Sequence, residues 1–177
     1  QRFARFEREQ PREARHAVDA IVALHMDDWR RLGGLVVALA AAGRREAAVE
    51  LAERVTANGQ IDKALLIPAY QNVKAARGGE AAADWLLAHL PNRDASTLAY
   101  LHLFAYALGA CEVQWILPIP EGGEEIVENL WLMRVAAVAR DSAGTPEQRV
   151  ALRARFAPAG PHRYRHFGRL LLGMESA

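Results

Sequence analysis

A spacing of 34 residues recurs through this chain and limits its fold more than any other feature. Val36, Tyr70, Phe104 and Val138 stand 34 apart, and Trp29 and Trp131 are separated by 102, three times that interval. Glu46-Ala47-Ala48 is answered by Glu80-Ala81-Ala82, and Leu51 by Trp85. From Asp27 to Val55 two amphipathic helical patterns meet at Gly43. Neither pattern can cover its apolar face inside so short a unit. A fixed period of this length marks stacked helix-turn-helix units, each burying the face of the next.

Turn signals place the helices. Pro11 fits the first turn of a helix whose apolar face holds Ala14, Val18 and Ile21. Asp27 and Asp28 can cap the next, because a short carboxylate accepts free first-turn amides. Trp29, Leu32, Gly33 and Val36 form that helix's packing seam, and Gly43 ends it. A partner helix is expected over residues 44–58. Pro68 lies inside the following pattern and predicts a kink or a shifted start. Asp94 or Ser96 caps a helix to about Leu108. Pro118, Pro120 and Gly122-Gly123 then interrupt the array, leaving Trp115 to Leu117 as one turn at most. A long helix is predicted from Glu124 to about Asp141, the next from the Thr145-Pro146 start, and the last over residues 162–172. No segment shows strand alternation. The chain therefore reads as all-α and as one domain, with approximate units 1–26, 27–59, 60–92, 93–123, 124–160 and a terminal helix over 161–177.

The 177 residues are 51% hydrophobic, enough to bury a core, and Ala dominates that fraction. Basic residues are nearly all Arg, a usage that suits a GC-rich bacterial genome. The net charge of +1 gives no global field toward nucleic acid. Its distribution is uneven: residues 17–144 carry 11 basic and 16 acidic groups, whereas residues 145–177 carry 6 basic and 2 acidic. The single cysteine, Cys111, permits no internal disulfide and no thiolate metal site. That suits the cytosol, the compartment expected here, and leaves the periplasm open. No apolar run is long enough to span a bilayer. A start at Gln1 without a signal-peptide pattern suggests a processed form or an excised fragment.

With Trp29, Leu32-Gly33, Val36 and Ala47-Ala48 in one unit, and Tyr164, Phe167-Gly168 and Leu171 in the last helix, the pattern resembles the tetratricopeptide repeat family. The likeness covers most of the chain from Arg12 onward. Departures are Lys63 and Thr97 where the family has an aromatic, Pro68 within a helix, and about three extra residues between Val36 and Ala47. Sel1-like and other helical-hairpin arrays are near neighbours. The resemblance implies a right-handed α-solenoid of antiparallel helix pairs, a superhelix with a concave groove. Its inward-facing positions map onto Arg30, Arg31 and Val37, then Leu65, Gln71 and Asn72, then His102 and Tyr106, and finally Asn129, Met133 and Arg140. Such a lining of amides, apolar groups and a few Arg suits a peptide or a helix. The family's carboxylate clamp needs Asn four residues after a basic residue, and here Arg30 is followed by Gly34.

The implied function is a scaffold or adaptor that binds a partner protein or peptide, with no cofactor and no metal. A second reading makes the chain the accessory helical part of a larger enzyme whose catalytic domain lies outside it. A third makes His102 the base of a helical enzyme. No catalytic motif supports either: there is no phosphate loop, no nucleophile elbow, and Cys111 has no activating neighbour in sequence. His162 and His166, four apart on an expected helix, lack a third ligand and read as a solvated face beside Arg163, Arg165 and Arg169, with a basic patch for phosphate or an acidic partner as the alternative. Glu121, Glu124, Glu125 and Glu128 form an acidic cluster in which a desolvated pair could do acid–base work, although placement at a helix start accounts for the first three.

Overall fold

The computed structural model describes residues 5, 9–24, 29–57, 63–90 and 92–174. Within its helices, the side chains of residues 11, 14, 15, 18, 21, 22, 24, 29–33, 55–57, 63 and 64 lie outside that description. The regular secondary structure among the described residues is all helix, with no strand. In chain order the helices are α1 (Pro11–Leu24), α2 (Trp29–Ala41), α3 (Arg45–Ala57), α4 (Lys63–Arg77), α5 (Gly79–Ala88), α6 (Ala95–Ala107), α7 (Val113–Ile116), α8 (Glu125–Asp141), α9 (Pro146–Arg155) and α10 (Arg165–Leu171). They form two compact units, Gln1–Pro91 and Asn92–Ala177. The boundary falls beside the Pro91-Asn92 stop that closes the expected unit 60–92.

In the first unit, consecutive helices pack on one another from α2 to α5, and α2 also meets α4. Small residues make this possible. Ala48 and Ala52 on α3, Ala69 on α4 and Ala82 on α5 are fully buried, between the larger Val36, Leu66, Ile67, Tyr70 and Leu86. Gly43 ends α2 with φ of 79°, a left-handed conformation that costs glycine little. Pro68 remains inside α4, which runs from Lys63 and tolerates the lost backbone donor in its second turn. Arg77, at the end of α4, reaches two carboxylates on α3, Glu46 at 3.1 Å and Glu53 at 2.9 Å. These pairs are open to water and contribute little to stability. The seam residues Trp29, Leu32 and Gly33 belong to α2, but their packing lies outside the described part.

The second unit is built around α8, which α6, α7 and α10 all contact. Its termini follow the turn chemistry of the sequence. The Asp94 carboxylate accepts from the Thr97 backbone N–H at 2.7 Å and starts α6. Thr145 and Gln148 form a reciprocal capping box, with Pro146 in the first turn of α9. One part of the core gathers Val135, Leu152, Phe156 and Leu172, with Trp115, Trp131 and Met174 packed against it. Gly168 is buried on α10 because Phe156 occupies the space a side chain would need. A Cβ there would lie 2.0 Å from Phe156 Cδ1. The ring cannot retreat, since Phe156 is itself fully buried. Gly168→Ala is therefore expected to destabilise the protein by about 1–3 kcal/mol through overpacking. Urea unfolding checks this, and an unchanged midpoint would show that α10 can slide off Phe156 at no cost.

The last helix is shorter than the sequence suggests. It starts at Arg165, so His162 precedes it and does not share a helical face with His166. His162 is fully buried, a correction to its reading as a solvated residue. Phe167, placed in the packing stripe by the repeat alignment, is 50% exposed.

Candidate binding surface

Helix α6 is unusual in composition. Its 13 residues, ASTLAYLHLFAYA, include no Asp, Glu, Lys or Arg. A helix apolar on every side is ordinarily enclosed on every side. Here one face is enclosed: Thr97, Leu98, Leu101, His102 and Ala105 are buried. The other is open, with Tyr100 at 40% and Leu103 at 57% exposure, and Leu108 exposed just beyond the helix end. Ser96, Tyr100, Leu103 and Ala107 are all exposed and spaced by four, three and four residues. That spacing forms the straight seam by which one helix packs on another. Tyr100 and Phe104 stack at 5.7 Å between centroids, so part of the stripe is preorganised.

The buried face of α6 is anchored by polar groups. His102 Nδ1 lies 2.5 Å from Gln114 Oε1, and Gln114 Nε2 donates to the His102 carbonyl at 2.6 Å. This two-point contact ties α6 to α7. Arg134 from α8 donates to the carbonyls of Gln114 at 2.7 Å and Leu117 at 2.8 Å, fixing the irregular segment after α7. Its guanidinium lies 4.9 Å from the Trp131 ring centroid and 5.2 Å from that of Trp115. Burial lowers the Arg134 pKa to about 10. His102 Nε2 is buried without a hydrogen-bond partner among the described residues. Burial lowers the His102 pKa to about 4; the Gln114 bond opposes the shift and the charge of Arg134 adds to it. His102 is thus held neutral and fully buried, tied to Gln114.

The eleven positions carried over from the repeat resemblance divide by burial. Val37, Gln71, Asn129 and Arg140 are exposed, and Asn72, Tyr106 and Met133 are half-buried. Leu65 and His102 are buried in their units and offer nothing to a partner. Arg30 and Arg31 lie on α2, with side chains outside the described part. Arg140 is committed in part to its own unit: Nη1 donates to the Tyr106 carbonyl at 2.6 Å, and the guanidinium sits 4.9 Å from the Tyr106 ring centroid. The residues that the sequence reading passed over are Tyr100 and Leu103.

Glu128 and His162 form a second buried polar pair. His162 Nε2 lies 2.9 Å from Glu128 Oε2 and 3.1 Å from the Glu128 carbonyl. His162 Nδ1 accepts from the Tyr164 backbone N–H at 3.0 Å. An accepting Nδ1 assigns the neutral tautomer with its proton on Nε2. The Glu128 carboxylate also accepts from the Arg163 backbone N–H. Burial lowers the His162 pKa, against the pull of Glu128. Every polar atom of the ring is satisfied and the ring packs against Phe156 in a tilted arrangement with centroids 4.1 Å apart, so the pair pins the α9–α10 connection to α8.

Among the described residues no group of three His, Cys, Asp or Glu is placed to hold a metal. None of the described helices is long and apolar enough to cross a membrane. Cys111 is buried, and desolvation, helped by Asp141, raises its thiol pKa to about 11. Comparisons with known protein families, with curated proteins and with solved structures give no match to this chain.

Proposed function

We propose that this chain is a protein-binding module of the helical-repeat kind, and that the outer face of α6 receives an amphipathic helix of a partner protein. The observation that carries this is the uncharged stripe Ser96-Tyr100-Leu103-Ala107, open on a helix whose opposite face is core. An uncharged seam imposes no electrostatic cost on an apolar partner, and its spacing selects a helix over an extended strand. The 34-residue recurrence and the serial packing of α2 to α5 support a tetratricopeptide-like architecture of antiparallel pairs winding right-handedly. On that reading the role is scaffold or adaptor, and no described constellation supplies a reaction.

The test is affinity capture from lysate with the wild-type chain and with a Tyr100→Ser/Leu103→Ser double variant as baits. Both residues are exposed, so folding should be nearly unaffected. Hot-spot energetics predict a loss of partner capture of roughly tenfold or more. Equal capture by both baits, or no specific partner with the wild-type chain, would rule out α6 as the binding face.

A further inference from the structure

A second surface of the Asn92–Ala177 unit has the opposite chemistry. The end of α8, the outer side of α9 and the end of α10 enclose a cleft of about 580 Å³. Val138, Leu171 and Leu172 supply apolar walls, and Val150 stands at the rim, 66% exposed. Arg149 and Arg153, four apart on α9, line the same cleft, so both guanidinium groups serve one side of it. Arg149 is steadied there by donating from Nη1 to the Ser142 carbonyl. Among the described residues no carboxylate forms an ion pair with either arginine. Glu147, at the exposed start of α9, feels Arg149 without forming a salt bridge to it. The segment that builds α9 and α10, residues 145–177, has 6 basic and 2 acidic groups.

We propose that this cleft binds an acidic peptide segment that places one large aliphatic side chain between Val138 and Leu171 and sets its carboxylates on Arg149 and Arg153. The apolar walls and the paired cations each exclude an alternative. A bare phosphate would leave Val138, Leu171 and Leu172 in water, so the walls would add nothing to its affinity. An uncharged apolar segment would leave two partly desolvated guanidinium groups without counter-charge. A segment carrying both groups satisfies the whole lining. Paired arginines suit carboxylates in particular, because the planar fork donates two parallel hydrogen bonds. The proposal goes beyond the α6 reading and does not depend on it, since the two surfaces select ligands of different charge.

The experiment uses the full chain and three labelled synthetic peptides, read by fluorescence anisotropy. One has two Leu four apart among Glu and Asp, one replaces the acids by Lys, and one replaces the Leu by Ser. Only the first should bind, and its affinity should fall as salt rises. Arg149→Glu/Arg153→Glu and Val150→Asp should each weaken it by roughly tenfold. Val150 is so exposed that its variant should melt like the parent, which keeps the test readable if the double variant does not fold. No binding of the acidic Leu peptide at about millimolar concentration would overturn the proposal. So would equal binding of the Ser peptide, which would mean a bare charge patch, or binding unaffected by Val150→Asp, which would place the peptide elsewhere.

Discussion

Phe156→Ala should be the most damaging single truncation in the Asn92–Ala177 unit, lowering stability by about 3–5 kcal/mol. The ring is fully buried among Val135, Leu152 and Leu172, and the tilted His162 ring packs against it with centroids 4.1 Å apart. Gly168 has no side chain because this ring fills the space above it, so no neighbouring Cβ can move in to close the cavity. The loss would also uncover one face of His162, whose two hydrogen bonds keep the ring in place beside the Glu128 carboxylate and prevent collapse around the gap. For a chain of this size the change corresponds to a drop in melting temperature of roughly 10 °C. Phe167→Ala is the control: that ring is 50% exposed, and its removal should cost less than about 1 kcal/mol. Thermal or urea unfolding of the two variants side by side decides the matter. Equal losses would mean that the last helix packs through Phe167, as the repeat alignment supposes.

Acid should destabilise the protein well before its carboxylates titrate. The His102 pKa is lowered from 6.5 to about 4 in the folded chain. Above pH 6.5 the ring is neutral whether the chain is folded or not, and its full contribution to stability is present. As pH falls from 6.5 toward 4, the unfolded chain gains a proton that the folded chain refuses, and stability drops. Below about 4 both states are protonated and the loss is complete. The difference in pKa corresponds to about 3 kcal/mol. His162, also lowered by burial, adds a loss of the same sign. Urea midpoints between pH 7 and 5 should therefore fall, and His102→Asn should flatten that part of the profile whatever it does to stability at pH 7. A midpoint that stays constant or rises on acidification would contradict the burial of both rings.

Helix ends were legible in the sequence because they depend on a few adjacent residues. Asp94 before α6, the Thr145-Pro146 start of α9 and the Gly43 stop of α2 all lie where local turn chemistry puts them. The break after Leu117 also follows from Pro118 and Pro120. Facing was harder to read. In α6, large apolar residues occur on all sides, so periodicity has no polar stripe to set against them, and the repeat alignment picked His102 instead of Leu103 as the open position. What decides the matter is Gln114, which holds His102 inward from twelve residues away. His162 escaped for a related reason. Its partner Glu128 lies 34 residues back, and nothing in the PHRYRHF segment signals that its first histidine is drawn out of the helix and into the core. Charge gave only part of the α8–α10 cleft: the basic excess of residues 145–177 was visible, while its apolar walls depend on how three helix segments meet.

The buried thiol has a practical consequence for every experiment above. With its pKa at about 11, Cys111 is ionised in about one molecule in ten thousand at pH 7, and its sulfur is sheltered from solvent. A cysteine introduced at an exposed position such as Val150 or Tyr100 would carry a thiolate fraction hundreds of times larger. The natural chain should therefore react with maleimides far more slowly than a chain with an exposed cysteine. A single reporter can be attached at either surface without first removing the native sulfur from the core.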